Sequence, residues 1–152
     1  MRVIFQERAL KAMNEWLERH YPEEACGFLL GNEQGDFRTI MESWPATNVS
    51  RENRKQRFIV DPLDYLRAEK KATTSGLTLL GIYHSHPDHP AIPSEHDLVA
   101  AHPFFSYTIV SVIEGKIADT HSYQLQGDQF VEEVIQTEIP GSVKTQFKNE
   151  LL

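Results

Sequence analysis

The spacing of apolar residues changes along the chain between a helical period and short strand-like runs, which predicts a mixed α/β (α+β) domain. A nearly continuous apolar run at 24–30 predicts a strand that is buried on both faces. The other predicted strands are 3–5, 37–41, 58–60, 77–83, 107–112, 116–125 and 129–135. The predicted helices are 8–20, about 61–73 and one that begins at 94. In the first helix, the residues expected to face the core are Leu10, Met13, Trp16 and Leu17.

Turn and capping residues support several of these boundaries. Asp61-Pro62 is typical of a helix start, with Asp as the N-cap and Pro in the first helical position. Ser94 and Asp97 have the spacing of a capping box. Glu114-Gly115 predicts the turn of a hairpin.

The length of 152 residues predicts one domain, assigned to residues 1–137. Residues 138–152 are expected to form a C-terminal tail, either loosely ordered or partner-binding, with residues 141–152 as its polar end. The sequence is compatible with a monomer or a homodimer.

The formal net charge of −7 argues against nucleic acid or an anionic membrane as the main partner. A local basic patch interrupts this acidic character and is expected to be a solvated loop or to meet an acidic partner; it consists of Arg51, Arg54, Lys55 and Arg57. No apolar run approaches the ~20 residues of a membrane span, and residues 1–8 do not resemble a signal peptide. The single cysteine, Cys26, excludes an internal disulfide and fits a small buried apolar residue. These features predict a soluble, cytoplasmic protein.

The sequence His84-Ser85-His86-Pro87 carries the most chemical information. If it continues the strand before it, both histidines point to one face, because strand side chains alternate. Asp97 can then add a carboxylate oxygen from the following helix start. Two nitrogens and one oxygen leave one tetrahedral zinc position open for water, which is typical of a catalytic zinc site.

A His-x-His pair also occurs outside such sites, for instance as a chance pair on a protein surface. Residues 84–89 fit the H-x-H-x-D-H motif of metallo-β-lactamase-like hydrolases, which would need further ligands such as Asp119 and His121. That fold also needs more residues than this chain has. Barrel hydrolases with a His-x-His pair need about 250 residues. Zinc deaminases need a Cys-x-x-Cys pair, which one cysteine cannot supply.

A joint motif accounts for more of the chain. Glu24-Ala25-Cys26-Gly27 precedes the His-Ser-His-Pro element, and Ser94-Glu95-His96-Asp97 follows it. This combination resembles the JAMM (MPN+) zinc metalloproteases, in particular the small free-standing prokaryotic type. The resemblance extends from about residue 3 to residue 135. It implies a single-domain, twisted mixed sheet flanked by helices, the cytidine-deaminase-like JAMM/MPN architecture.

The resemblance also assigns roles by motif position. His84, His86 and Asp97 would bind one catalytic zinc ion, with water as the fourth ligand. Glu24 would act as the general base and then the general acid. Ser94 would donate a hydrogen bond to the developing oxyanion.

The implied activity is hydrolysis of amide or isopeptide bonds after the C-terminal Gly-Gly tail of a ubiquitin-fold protein. Small prokaryotic members act on ubiquitin-like modifiers or sulfur-carrier proteins. A hydrolase of small amides and a non-catalytic MPN scaffold are the alternatives. His89 and His96 are expected to be solvated loop residues, or to contact the substrate or the zinc ligands. Asn48 is expected to stabilise a turn or to orient the substrate.

Overall fold

The computed structural model describes residues 1–50 and 58–138. Within these ranges, the strands are β1 (Arg2–Gln6), β2 (Cys26–Gln34), β3 (Phe37–Ala46), β4 (Thr78–Pro87), β5 (Ser106–Ile113), β6 (Lys116–Gln126) and β7 (Gln129–Glu138). The helices are α1 (Glu7–His20), α2 (Pro62–Thr74) and α3 (Glu95–Ala100). The predicted mixed α+β fold is confirmed.

The strands form one closed sheet in the order β1-β3-β2-β4-β5-β6-β7, and β7 returns to β1. Strand β1 runs parallel to both β3 and β7, and β4 runs parallel to β5. The remaining pairs are antiparallel, so the sheet is mixed, as expected. No strand of the described sheet has a free edge.

Helices pack against both faces of the sheet. Met13 and Leu17 of α1 are fully buried with Tyr83 in one apolar cluster, as the helical spacing predicted, and Leu10 and Trp16 pack around them. Ala68 and Ala72 of α2 belong to a second cluster, which includes Phe28, Leu79 and Ile82. Because strand side chains alternate, His84 and His86 lie on the α2 face with Ile82.

Several predicted boundaries are wrong. Strand β2 begins after Glu24 and continues through Gly31, where a Cβ would overlap the carbonyl oxygen of Thr39, so glycine permits close strand pairing there. Strand β3 extends five residues beyond the predicted 37–41, through Trp44 and Pro45. Among residues 1–50 and 58–138, the predicted strand 58–60 makes a single bridge, between Val60 and Asn48.

The capping predictions are confirmed. The Asp61 side chain accepts a hydrogen bond from the Leu63 amide at the start of α2, and Ser94 and Asp97 form a capping box on α3. The basic patch at 51–57 lies outside the described residues, as does the predicted tail beyond Glu138. In the described ranges, no helix combines the length and the apolar character that a membrane crossing requires.

Candidate active site

Strand β4 carries both histidines and ends at Pro87, directly after the second one. Nε2 of His84 lies 3.2 Å from Nε2 of His86. Asp97, from the first turn of α3, places Oδ1 3.2 Å from His84 Nε2 and Oδ2 3.3 Å from His86 Nε2. All three side chains are buried. The structure therefore brings together the three predicted ligands, and β4 continues four residues beyond the predicted 77–83, through Pro87.

The spacing of these atoms fits one small cation. A tetrahedral zinc ion with bonds of 2.0–2.1 Å separates its ligand atoms by roughly 3.3 Å. Nδ1 of His86 lies 2.8 Å from the carbonyl oxygen of Pro90, which can only accept, so Nδ1 carries a proton and Nε2 faces His84 and Asp97. Burial lowers the pKa of His84, which favours the neutral imidazole that binds metals.

The capping box fixes the direction of Asp97. The Ser94 amide donates to Asp97 Oδ2 over 2.8 Å, and the Asp97 amide donates to Ser94 Oγ over 3.1 Å. Burial alone would raise the pKa of Asp97, but hydrogen bonds from His84 and His86 outweigh it and hold the pKa well below its usual range. Asp97 is therefore an anion at neutral pH.

Glu24 lies beside this cluster, at the end of the loop before β2. Its carboxylate and the ligand atoms of the two histidines lie within 4.8 Å of one another. Its Oε2 is buried without a hydrogen-bond partner among the described residues. Burial raises the pKa of Glu24 to about 7; His86 opposes this shift and Asp97 reinforces it. A carboxyl group with this pKa can accept and donate a proton near neutral pH.

The Ser94 side chain lies at the same helix start, on the exposed side. Its oxygen accepts the Asp97 amide proton, which occupies a lone pair and leaves the hydroxyl proton able to donate elsewhere. All five residues that the motif singled out thus lie in one region of the fold.

The sequence did not predict several contacts that shape this region. The Phe58 ring stacks on His84, with a centroid separation of 4.3 Å. A cavity of about 240 Å³ opens beside His84 and Asp97. Its walls are mainly apolar and aromatic and include Phe58, Val60, Tyr65, Ile82 and Tyr107. These residues come from α2, β4, β5 and the 58–60 segment, so only the tertiary fold reveals the cavity.

The H-x-H-x-D-H alternative is not supported by the geometry. The Asp88 side chain is exposed, and its carboxylate accepts the amide of Glu114 over 2.9 Å. The His121 ring lies between Asp119 (2.8 Å) and Glu132 (2.7 Å), each on a different ring nitrogen. Among the described residues, the cluster suited to a metal contains Glu24 and the two β4 histidines rather than this downstream pair.

Two other histidines border the site. The ring of His89 stacks on His86 with a centroid separation of 4.2 Å, and its Nδ1 lies 2.9 Å from the carbonyl oxygen of Pro87. His89 is exposed, whereas His96 lines the cavity. His89 therefore covers the edge of the site from the solvent side.

Cys26 is buried, and burial raises the pKa of its thiol to about 12. Since the thiolate is the reactive form, native Cys26 should react with a thiol reagent at pH 8 about 10³-fold more slowly than an unperturbed cysteine. Titration with a chromogenic disulfide, with and without denaturant, measures this. Rapid labelling of the native protein would contradict the interpretation of Cys26 as a packing residue.

Comparison with known proteins agrees with this arrangement. Residues 6–126 match the family described as prokaryotic homologs of the JAB domain. The chain belongs to this family. It is a hydrolase of the JAMM type, and the matched region contains Glu24, both β4 histidines, Ser94 and Asp97.

Named relatives are peptidases or desampylases. The chain is 32% identical over 112 residues to the desampylase of Haloferax volcanii, covering 73% of this chain and 76% of that protein. It is 37% identical over 93 residues to a probable TtuB-protein conjugate cleaving protease of Thermus thermophilus, covering 61% and 59% of the two chains. It is 29% identical over 146 residues to the CysO-cysteine peptidase of Mycobacterium tuberculosis, covering 95% and 93%.

Solved structures share the fold. A protein from Desulfitobacterium hafniense has a TM-score of 0.79 and 31% identity, covering 90% of this chain and 92% of that one. A protein from Salinibacter ruber has a TM-score of 0.62 and 38% identity, covering 88% and 93%. The expected JAMM architecture is therefore confirmed.

Proposed function

We propose that this JAB-domain protein is a zinc-dependent isopeptidase that cleaves the amide or isopeptide bond after the C-terminal Gly-Gly tail of a ubiquitin-fold protein. The observation that carries this proposal is the 3.2–3.3 Å spacing of the ligand atoms of His84, His86 and Asp97. The substrate class, a ubiquitin-like modifier or a sulfur-carrier protein, is supported by relatives that are named desampylase, TtuB-protein conjugate cleaving protease and CysO-cysteine peptidase.

His84, His86 and Asp97 would hold the zinc ion. When bound, zinc would supply a Lewis acid and lower the pKa of a water molecule toward ~7. Glu24 would accept a proton from the attacking water on its carboxylate and then donate it to the departing amine. Its buried position beside the two histidines supports both steps, because burial raises its pKa above that of an ordinary glutamate.

Ser94 would donate its hydroxyl proton to the carbonyl oxygen as negative charge develops there. In a Ser94→Ala variant, kcat should fall by about 10²–10³-fold because one oxyanion donor is lost. The free energy of unfolding should also fall, by about 0.5–2 kcal/mol, because Ser94 caps α3. Steady-state kinetics and denaturant unfolding measure the two effects.

Asp61→Ala is the matched control for that variant, because it removes the N-cap of α2 and none of the five motif residues. It should lose a similar free energy of unfolding and keep kcat within about twofold. If the two variants lost the same fraction of kcat, Ser94 would act only as a helix cap.

The tail of the substrate would bind in an extended conformation beside residues 58–60. The described sheet is closed, so a further strand would have to add to backbone outside it. Among the described residues, the 58–60 segment makes the Val60–Asn48 bridge, the Val49–Ile59 hydrogen bond of 2.9 Å and the hydrogen bond from the Ile59 amide to Asn48 Oδ1 of 3.0 Å, and its other backbone groups near the site could accept such a strand. The Phe58 ring lies over His84. This close cover favours glycine in the substrate next to the bond that is cleaved. A side chain ahead of the two glycines would enter the 240 Å³ cavity.

The direct test uses the purified protein loaded with zinc and a ubiquitin-fold protein joined through its Gly-Gly tail to a reporter. Cleavage after the second glycine is expected, while the same fusion ending in Ala-Ala should be cleaved much more slowly. Rapid hydrolysis of amino-acid amides without cleavage of the fusion would instead support the small-amide alternative. The absence of zinc in elemental analysis would support a non-catalytic scaffold.

A further inference from the structure

Two side chains hold the peptide group that joins Glu24 to Ala25. The Ala25 amide donates to Ser85 Oγ over 3.0 Å, and the Asn48 side-chain amide donates to the Glu24 carbonyl oxygen over 3.0 Å. Both polar ends of one peptide plane are therefore bound by side chains rather than by a neighbouring strand. We call Ser85 and Asn48 the Glu24 clamp.

The clamp occupies the point where β2 separates from β4. In a regular antiparallel ladder, every second pair of facing residues exchanges two backbone hydrogen bonds. Ser85 donates its amide to the Ala25 carbonyl oxygen over 3.0 Å, but the return bond from Ala25 ends on the Ser85 hydroxyl. The regular ladder between β2 and β4 ends at the adjacent pair, Cys26–His84. The hydroxyl thus satisfies a buried amide where the chain leaves the sheet toward Glu24.

Ser85 also joins two parts of the site through one short stretch of strand. It lies between His84 and His86, and its side chain points to the opposite face because strand side chains alternate. It is 1% exposed, so its hydrogen bond is shielded from water. Residues 84–86 therefore direct both histidine rings toward the proposed metal position and also bind the peptide group between Glu24 and Ala25.

Asn48 approaches the same peptide from the other side. Its Oδ1 accepts the amides of Ser50 and Ile59, each over 3.0 Å, while its Nδ2 reaches Glu24. One side chain thus ties the backbone of Ser50 and Ile59 to the peptide of Glu24. Asn48, which the sequence placed in a turn or beside the substrate, therefore acts on the backbone of the protein itself.

We propose that Ser85 and Asn48 are positioning residues that fix the direction of the Glu24 carboxylate relative to His84 and His86. The proposal rests on the proposed function, in which Glu24 moves protons. A side chain turns with the peptide that carries it, and a misplacement of about 1 Å can cost 10²-fold in rate. Loss of the clamp should therefore reduce kcat without removing the metal ligands.

The first experiment compares Ser85→Ala with Ser85→Thr in the zinc-loaded protein on a Gly-Gly-tailed fusion. Ser85→Ala should lower kcat about 10–100-fold, leave KM within about twofold and keep one zinc per chain. Ser85→Thr, which keeps the hydroxyl oxygen, should restore most of kcat. The matched control is Ser43→Ala, which removes a hydroxyl bond to the Ala9 carbonyl oxygen (2.8 Å) away from the site and should keep wild-type kcat.

A double-variant comparison separates positioning from general destabilisation. In a Glu24→Gln background, adding Ser85→Ala should cause little further loss of kcat, because the group that the clamp positions is already gone. An equal loss in both backgrounds would overturn the proposal. Asn48→Asp keeps the oxygen that binds Ser50 and Ile59 but removes the donor to Glu24, and it should resemble Ser85→Ala.

A readout that needs no substrate keeps this proposal separate from the proposed function. The ¹³C signal of the Glu24 carboxyl should shift in Ser85→Ala and return in Ser85→Thr. An unchanged signal, or an unchanged kcat in an active enzyme, would overturn the clamp. A wild-type protein that binds zinc but cleaves no Gly-Gly fusion would overturn the proposed function instead.

Discussion

Replacing Glu24 with glutamine should reduce kcat by about 10²–10⁴-fold while one zinc ion stays bound per chain. Glutamine has nearly the shape of glutamate but cannot accept the proton of the attacking water. Zinc should remain because the closely spaced atoms proposed as its ligands belong to His84, His86 and Asp97. Steady-state kinetics on a Gly-Gly-tailed fusion and elemental analysis of the same preparation measure the two quantities.

The adjacent residue provides the control for this prediction. Glu23 is exposed, so Glu23→Gln changes the same charge one position away and should keep both kcat and zinc. Full hydrolysis by Glu24→Gln would show that another group moves the proton. Loss of zinc from Glu24→Gln would show that the carboxylate is itself a ligand, as its place within 4.8 Å of both histidines would permit.

Removing one of the proposed zinc ligands should have the largest effect. His86→Ala and Asp97→Ala should each lose zinc, and their activity should fall to that of wild-type protein treated with a chelator. The remaining two ligands cannot complete a tetrahedral catalytic site, which needs three protein ligands. Zinc added back should restore the chelated wild type but neither variant.

The control for these variants also tests the H-x-H-x-D-H alternative. A double variant, Asp88→Asn with His89→Ala, changes the two extra residues of that motif, and asparagine tolerates the positive φ of 60° at position 88. It should keep its zinc because neither residue provides an atom to the cluster of Glu24 and the two β4 histidines. Loss of zinc from this double variant, with retention in Asp97→Ala, would show that Asp88 or His89 binds the metal and that Asp97 does not.

Local chemistry made some elements predictable from the sequence. The start of α2 depends on Asp61 and Pro62, and the turn at Glu114-Gly115 depends on adjacent residues with positive φ. Such features are decided by neighbours in sequence. In contrast, the extension of β2 through Gly31 depends on the distant carbonyl group of Thr39, and no local pattern shows it.

The same distinction applies to the site. Alternation along β4 predicts that His84 and His86 share a face. The capping box predicts that Asp97 lies in the first turn of a helix. Only the family resemblance predicted Glu24 as a site residue. The hydrogen bond that holds its backbone near the histidines joins Ala25 to Ser85, which are 60 positions apart in sequence. The clamp was not predicted because Asn48 precedes a polar stretch typical of a turn, and because the partner of the Ser85 hydroxyl is 60 positions away in sequence.

The closed sheet has a consequence for how the molecule forms. Strand β1 is synthesised long before β7, yet the two strands pair in parallel. Contacts between such distant parts of a chain raise the contact order, which slows folding because a long loop must be ordered first. Until β1 and β7 pair, these strands expose unpaired amides and carbonyls, so the nascent protein should be prone to aggregation before the ring closes.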